Sequence, residues 1–105
     1  MTHYSIKIMP TARLGLLTIG DYIALDNPIR AISFVDEITD SLQKTLSLFP
    51  YSGKKVDDLS AQQEIRVWSY GRYNCYYHII EQKSLVEILF VFHASRDVQK
   101  LMDKL

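Results

Sequence analysis

The chain has 105 residues, of which 48% are hydrophobic, 23% charged and 11% aromatic, a balance too apolar for a disordered polymer and ordinary for one folded domain spanning 1–105. Twelve basic and twelve acidic residues leave a formal net charge of +0, which excludes bulk electrostatic attraction to nucleic acid and restricts any such contact to a local patch. One cysteine, Cys75, excludes an internal disulfide, and no apolar run approaches the roughly 20 residues of a membrane span.

From the N-terminus, Tyr4, Ile6 and Ile8 alternate with Ser5, Lys7 and Met9, predicting a short strand that Pro10 ends. No basic stretch followed by an apolar segment precedes Pro10, so a soluble cytoplasmic protein is expected. From Thr11, read as an N-cap, Ala12, Leu16, Ile19 and Ile23 recur at helical spacing, predicting a helix to about Leu25. Gly15 and Gly20 lie inside it, where each costs about 1 kcal/mol relative to alanine. They are expected to mark close packing against the next helix. Leu14, Leu17 and Leu25 fall outside the apolar stripe, which predicts exposed apolar surface awaiting a partner.

Asp26-Asn27-Pro28 predicts a tight turn, with Asn27 capping a second helix and Pro28 in its first turn. Ala31, Phe34, Val35, Ile38, Leu42, Leu46 and Phe49 give that helix one apolar face, and Phe49-Pro50 ends it. Residues 51–63 lack periodicity and are expected to form one long loop. Three strands are expected at about Glu64 to Tyr70, Arg72 to Ile80 and Leu85 to His93, followed by a short helix capped by Ser95 and carrying Val98, Leu101, Met102 and Leu105. The expected fold class is α+β: a helical hairpin on a mainly antiparallel four-stranded sheet, order β-α-α-β-β-β with a short C-terminal helix. Its core is expected to hold Phe34, Ile38, Leu42, Ile88 and Phe90.

Alternation sends Tyr73, Cys75, Tyr77 and Ile79 to one face of their strand and Tyr76, His78 and Ile80 to the other. Core packing is therefore expected for the tyrosine-rich segment around Tyr70, and Cys75 is expected as a buried small hydrophobe. His3, His78 and His93 show no metal-ligand spacing, so no metal and no cofactor are expected.

Several segments resemble one known family. Ile19-Gly20-Asp21-Tyr22-Ile23-Ala24 followed by Asp26-Asn27-Pro28 is similar to the "I-x-x-Y-I-A-x-D-N-P" signature of the ParE branch of the RelE/ParE toxins, the plasmid stabilisation family. Leu48-Phe49-Pro50 with Gly53, Ile65-Arg66 before Gly71-Arg72-Tyr73, Tyr76-Tyr77, and Val86 to His93 closing on Ala94-Ser95-Arg96-Asp97 extend the resemblance from Pro10 to Leu101. The chain departs from the family pattern at Gly15, where an acidic residue is usual, and at Leu17, where a polar one is common.

The resemblance implies the toxin of a type II toxin-antitoxin system, held inactive by a cognate antitoxin protein in a hetero-oligomer. Leu14, Leu17 and Leu25 are the candidate antitoxin contacts. The ParE likeness implies inhibition of DNA gyrase by binding, with Arg66, Arg72, His93 and Arg96 as candidate target contacts. The alternative is the RelE-like one, a ribosome-dependent mRNA endoribonuclease. Glu64, Arg66, His93 and Arg96 would then be catalytic and would have to converge, Arg66 stabilising the phosphate and His93 acting as acid or base. A degenerate antitoxin-binding domain is the third reading. Ala94 stands where an aromatic hydroxyl is common in RNA-cleaving relatives, and Lys54-Lys55 is the long loop's one basic cluster. Both features favour gyrase. A purely structural role is also open at these positions: Arg66 and Arg96 pairing with Glu64 and Asp97, and His93 satisfied by backbone.

Overall fold

The computed structural model describes residues 3–56 and 64–96. Strand β1 (Ser5–Ile8) leads into helix α1 (Pro10–Ala24). Pro10 opens α1 because its fixed φ suits the first helical position and its missing N–H is not needed there. Thr11 is not the N-cap: extended Met9 holds that position without a side-chain hydrogen bond. After a tight turn, Asn27 caps α2 (Pro28–Leu48), its side-chain oxygen accepting from the Arg30 amide at 3.0 Å. Phe49 leaves the helix at φ −130°. That departure turns its ring outward, and Phe49 is exposed rather than part of the apolar face.

The sheet has five strands in the order β1-β5-β4-β3-β2, formed by β1, β2 (Lys54–Lys55), β3 (Arg66–Tyr70), β4 (Tyr73–Ile80) and β5 (Leu85–His93). It is mixed, because β1 runs parallel to β5 while the other pairs are antiparallel. The expected four strands become five through β2, which pairs with Arg66 and Val67 inside the segment expected to be loop. Two residues without apolar alternation carry no strand signal; their ladder exists because β3 offers a free edge. Gly71 has φ +58° in the two-residue turn joining β3 to β4, a left-handed conformation open to glycine at little cost. The expected C-terminal helix lies outside the described residues.

Both helices cover one face of the sheet, over a core of Ala12, Leu16, Ile38, Leu42, Leu46, Cys75, Tyr77, Val86, Ile88 and Val91. Phe34 packs against that core beside Tyr73. Burial pushes the Cys75 thiol up to about 12, which makes it an unreactive apolar filler.

Phe90 does not join this core. Tyr76 pairs with Phe90, but Tyr77 pairs with Ile88, so Leu89 is the extra residue of a β-bulge. The bulge reverses the alternation of β5 after Ile88. Val91 and His93 then lie on the helical face, while Phe90 and Phe92 stack at 5.4 Å on the other. The Thr11 hydroxyl donates to the Leu89 carbonyl at 2.5 Å, supplying a partner at a point where the ladder is interrupted.

At the far end of the core, the buried Tyr77 hydroxyl donates to the Pro50 carbonyl at 2.7 Å and accepts from the Gly53 amide at 3.0 Å. A Cβ on Gly53 would lie 2.5 Å from that hydroxyl and 2.6 Å from the Val67 carbonyl oxygen. The chain after α2 is thus clamped to β4 by one phenol. Tyr77→Phe leaves both backbone groups without this partner and should cost about 1–3 kcal/mol, measured as a lower urea midpoint. An unchanged midpoint would refute the clamp.

Candidate functional site

Under the ribonuclease alternative, Glu64 and Arg66 would have to meet His93 and Arg96 around one phosphate. The structure separates the two pairs. Arg66 pairs with Tyr77 and His93 with Tyr73, four positions apart on β4 and so roughly 13 Å at about 3.3 Å per residue. Arg66 is occupied where it stands: Nε donates to the Glu64 carboxylate at 3.0 Å, Nη1 donates to the Gly53 carbonyl at 2.8 Å, and the guanidinium lies 4.9 Å from the Tyr51 ring centre. This end of the sheet is a polar notch of about 490 Å³ that also holds His78, Gln82 and Glu87.

His78 is buried and lies 2.6 Å from the Glu87 carboxylate. The sequence reading passed over this pair. Counting outward from Ile80 and Leu85 across the hairpin places residues 78 and 87 opposite one another, so strand arithmetic could have found it.

Glu81 sits in a short 3₁₀ turn (Glu81–Lys83) and accepts from the Tyr51 hydroxyl at 2.6 Å and the Tyr4 hydroxyl at 2.8 Å. Those bonds hold its carboxyl below the usual range and push Tyr51 up to about 12. A folded-state pKa below the unfolded one stabilises above the unfolded value, and the stability is lost as pH falls through the folded one. The wild type should therefore exceed Glu81→Gln in stability at neutral pH, with a gap that narrows as the carboxylate protonates. Urea titrations at neutral and acidic pH check this, and a gap independent of pH would refute it.

At the opposite end of the strands, α1 and β5 bound a groove of about 660 Å³. Arg72 comes from the β3–β4 turn, His93 from the end of β5 and Arg96 from the residues after it. The Ala94 amide donates to the Arg72 carbonyl at 2.7 Å, tying that turn to the end of β5. The Ser95 amide donates to His93 Nδ1 at 3.1 Å. A backbone amide can only donate, so Nδ1 carries the lone pair and Nε2 the proton. Three of the four expected target contacts thus converge, and Arg66 is the one left apart. Thr11, Gly15, Thr18 and Tyr22 complete much of the α1 wall, none of them singled out for this role by sequence.

Gly15 explains how closely the walls approach. A Cβ there would collide with the Val91 carbonyl oxygen, so the glycine packs against β5 and not against the next helix as expected. Gly20 does face α2, with the Val35 side chain 3.3 Å from where its Cβ would lie. Along the outer surface of α1, Leu14 is 63%, Leu17 59% and Leu25 82% exposed, and Tyr22, Ile29 and Ile32 add to this apolar surface. None of the three leucines is absorbed by the core. Among the described residues, no helix is long and apolar enough to cross a membrane.

The described residues thus form a helical hairpin on a mixed sheet, with exposed leucines along α1 and with Arg72, His93 and Arg96 at one end of the α1–β5 groove. The family described as ParE toxin of type II toxin-antitoxin system, parDE, matches residues 6–98, and the chain belongs to it. Among solved structures, the RelBE2 toxin-antitoxin complex of Mycobacterium tuberculosis is 25% identical at a TM-score of 0.66, covering 90% of this chain and 97% of that one. The chromosomal ParDE system of P. aeruginosa gives 19% identity at a TM-score of 0.70, covering 89% and 98%. The isolated E. coli RelE toxin gives 17% at 0.57, covering 96% of each chain. No curated protein matches the sequence.

Proposed function

We propose that this type II toxin acts by binding DNA gyrase, the target implied by its ParE resemblance, and that its cognate antitoxin covers Leu14, Leu17 and Leu25. The observation that carries the reading is the separation of Glu64 and Arg66 from His93 and Arg96. A ribonuclease of the kind considered needs its base, its phosphate-binding cation and its acid around one reacting phosphate. Here Arg66 is engaged by Glu64 and by backbone carbonyls, and the other end holds Arg72, His93 and Arg96, which suit docking through charge and hydrogen bonds. Purified toxin added to gyrase and plasmid should block supercoiling or trap cleaved DNA, while transcripts in induced cells stay intact. Transcripts cut at codon boundaries, with gyrase unaffected, would replace this reading with the ribonuclease.

A further inference from the structure

The chain turns where β5 ends, and one ring nitrogen of His93 holds that turn. Nδ1 accepts from the Ser95 amide at 3.1 Å and lies 2.8 Å from the Ser95 hydroxyl. The Arg96 amide donates to the His93 carbonyl at 3.0 Å, and Arg96 lines the groove together with Arg72. The two Ser95 groups differ in what they tolerate. A hydroxyl can reverse from donor to acceptor, whereas an amide N–H can only donate. A proton on Nδ1 therefore leaves the hydroxyl a partner and takes the amide's away.

The surroundings offer a charged ring no counter-ion. Arg72 reaches the groove from the β3–β4 turn and Arg96 from the chain after β5, while Tyr22 stands on the α1 wall. From β4, Tyr73 meets the imidazole edge to face, with ring centres 5.4 Å apart. Among the described residues, no aspartate or glutamate lines this groove. His78, by contrast, has the Glu87 carboxylate at 2.6 Å.

We infer that His93 and Ser95 form a proton-operated latch on the turn that presents Arg96: the neutral imidazole closes it, and protonation opens it by removing the acceptor of the Ser95 amide. Histidine is the side chain that ordinarily changes charge between about pH 5 and 8, so mild acid is the signal the latch answers. Resting on the proposed reading of Arg72, His93 and Arg96 as target contacts, the inference adds their regulation. The three stand in the described arrangement with the ring neutral, and acidification releases Arg96 from it.

The test is a pH titration of the intact, isotope-labelled toxin followed by nuclear magnetic resonance, in the wild type, His93→Gln and Ser95→Ala. At neutral pH the His93 ring should carry its proton on Nε2. As the ring takes up its second proton, the Ser95 amide proton should shift upfield with the same midpoint, and the Arg96 amide should move with it. Glutamine offers an oxygen acceptor that does not titrate. In His93→Gln the Ser95 amide should therefore hold its position throughout, although His3 and His78 are still present. Ser95→Ala keeps the amide and should keep the coupled shift. A neutral ring protonated on Nδ1, a ring that takes up no second proton before the fold is lost, a Ser95 amide indifferent to the ring, a shift that survives in His93→Gln, or one lost in Ser95→Ala would each overturn the latch. Gyrase is absent from the titration, so the gyrase reading can fail without changing its outcome.

Discussion

Gly15→Ala should destabilise the protein by roughly 1–3 kcal/mol, lowering the thermal midpoint by several degrees at about 4–8 °C per kcal/mol for a chain of this size. The sign is the diagnostic. Inside an unconstrained helix the same change stabilises by about 1 kcal/mol, because alanine loses less backbone freedom on folding than glycine. At Gly15 the new methyl group meets the carbonyl oxygen of Val91, with the carbonyl carbon at 3.3 Å and the amide nitrogen at 3.4 Å. All three are backbone atoms of the strand beside the bulge and cannot rotate away as a side chain can. The helix would have to lift off the sheet, disturbing Leu16 and Ile19 in the core. Gly20→Ala is the control: its one close neighbour is a methyl of Val35 at 3.3 Å, which can give by a small shift, so this variant should be near neutral. Melting both variants decides the point. If Gly15→Ala matches or exceeds wild type, α1 does not approach β5 as closely as described.

Periodicity located the large elements well and failed where one residue changes the count. The apolar stripe of α2 predicted Ala31, Ile38, Leu42 and Leu46, and all four are buried. On β5, strict alternation carried Ile88 and Phe90 to one face, which holds only for an unbulged strand. The bulge at Leu89 has no signature in the strand itself; its carbonyl is met by Thr11, a residue 78 positions away. That same bulge sets Tyr73 opposite His93 instead of Phe92 and aims His93 at α1, so the groove's cationic end could not be placed by counting. The Arg66–Glu64 bond was legible, since the sequence predicts a strand from about Glu64 and residues two apart on a strand share a face, although β3 itself begins at Arg66. Thr11, Gly15, Thr18 and Tyr22 were missed as groove residues because each helical position was judged against the core stripe, whereas the groove takes the flank beside it.

Replacing Arg72 and Arg96 together by alanine should abolish most toxicity, while His93→Gln should retain most of it. The two outcomes follow from the difference between a charge needed for docking and a proton needed for chemistry. Under the proposed reading the arginines supply charge-assisted hydrogen bonds to the target, each worth about 1.5–3 kcal/mol when engaged, so losing both should weaken binding by about 100-fold or more. Both side chains are exposed, and the contact joining their segments is the backbone bond from Ala94 to Arg72, so the variant should fold with an unchanged thermal midpoint. At His93, glutamine keeps a side-chain oxygen able to accept from the Ser95 amide, as Nδ1 does now, and an N–H able to donate in place of Nε2. Proton transfer near neutral pH is what it lacks. An enzyme relying on His93 as general acid or base would slow by about 100-fold or more. Growth inhibition after induction, read beside melting curves and antitoxin co-purification, separates the cases. Should His93→Gln detoxify a protein that still folds and still binds its antitoxin, while the arginine pair proves dispensable, the toxin works by catalysis and the docking account is wrong.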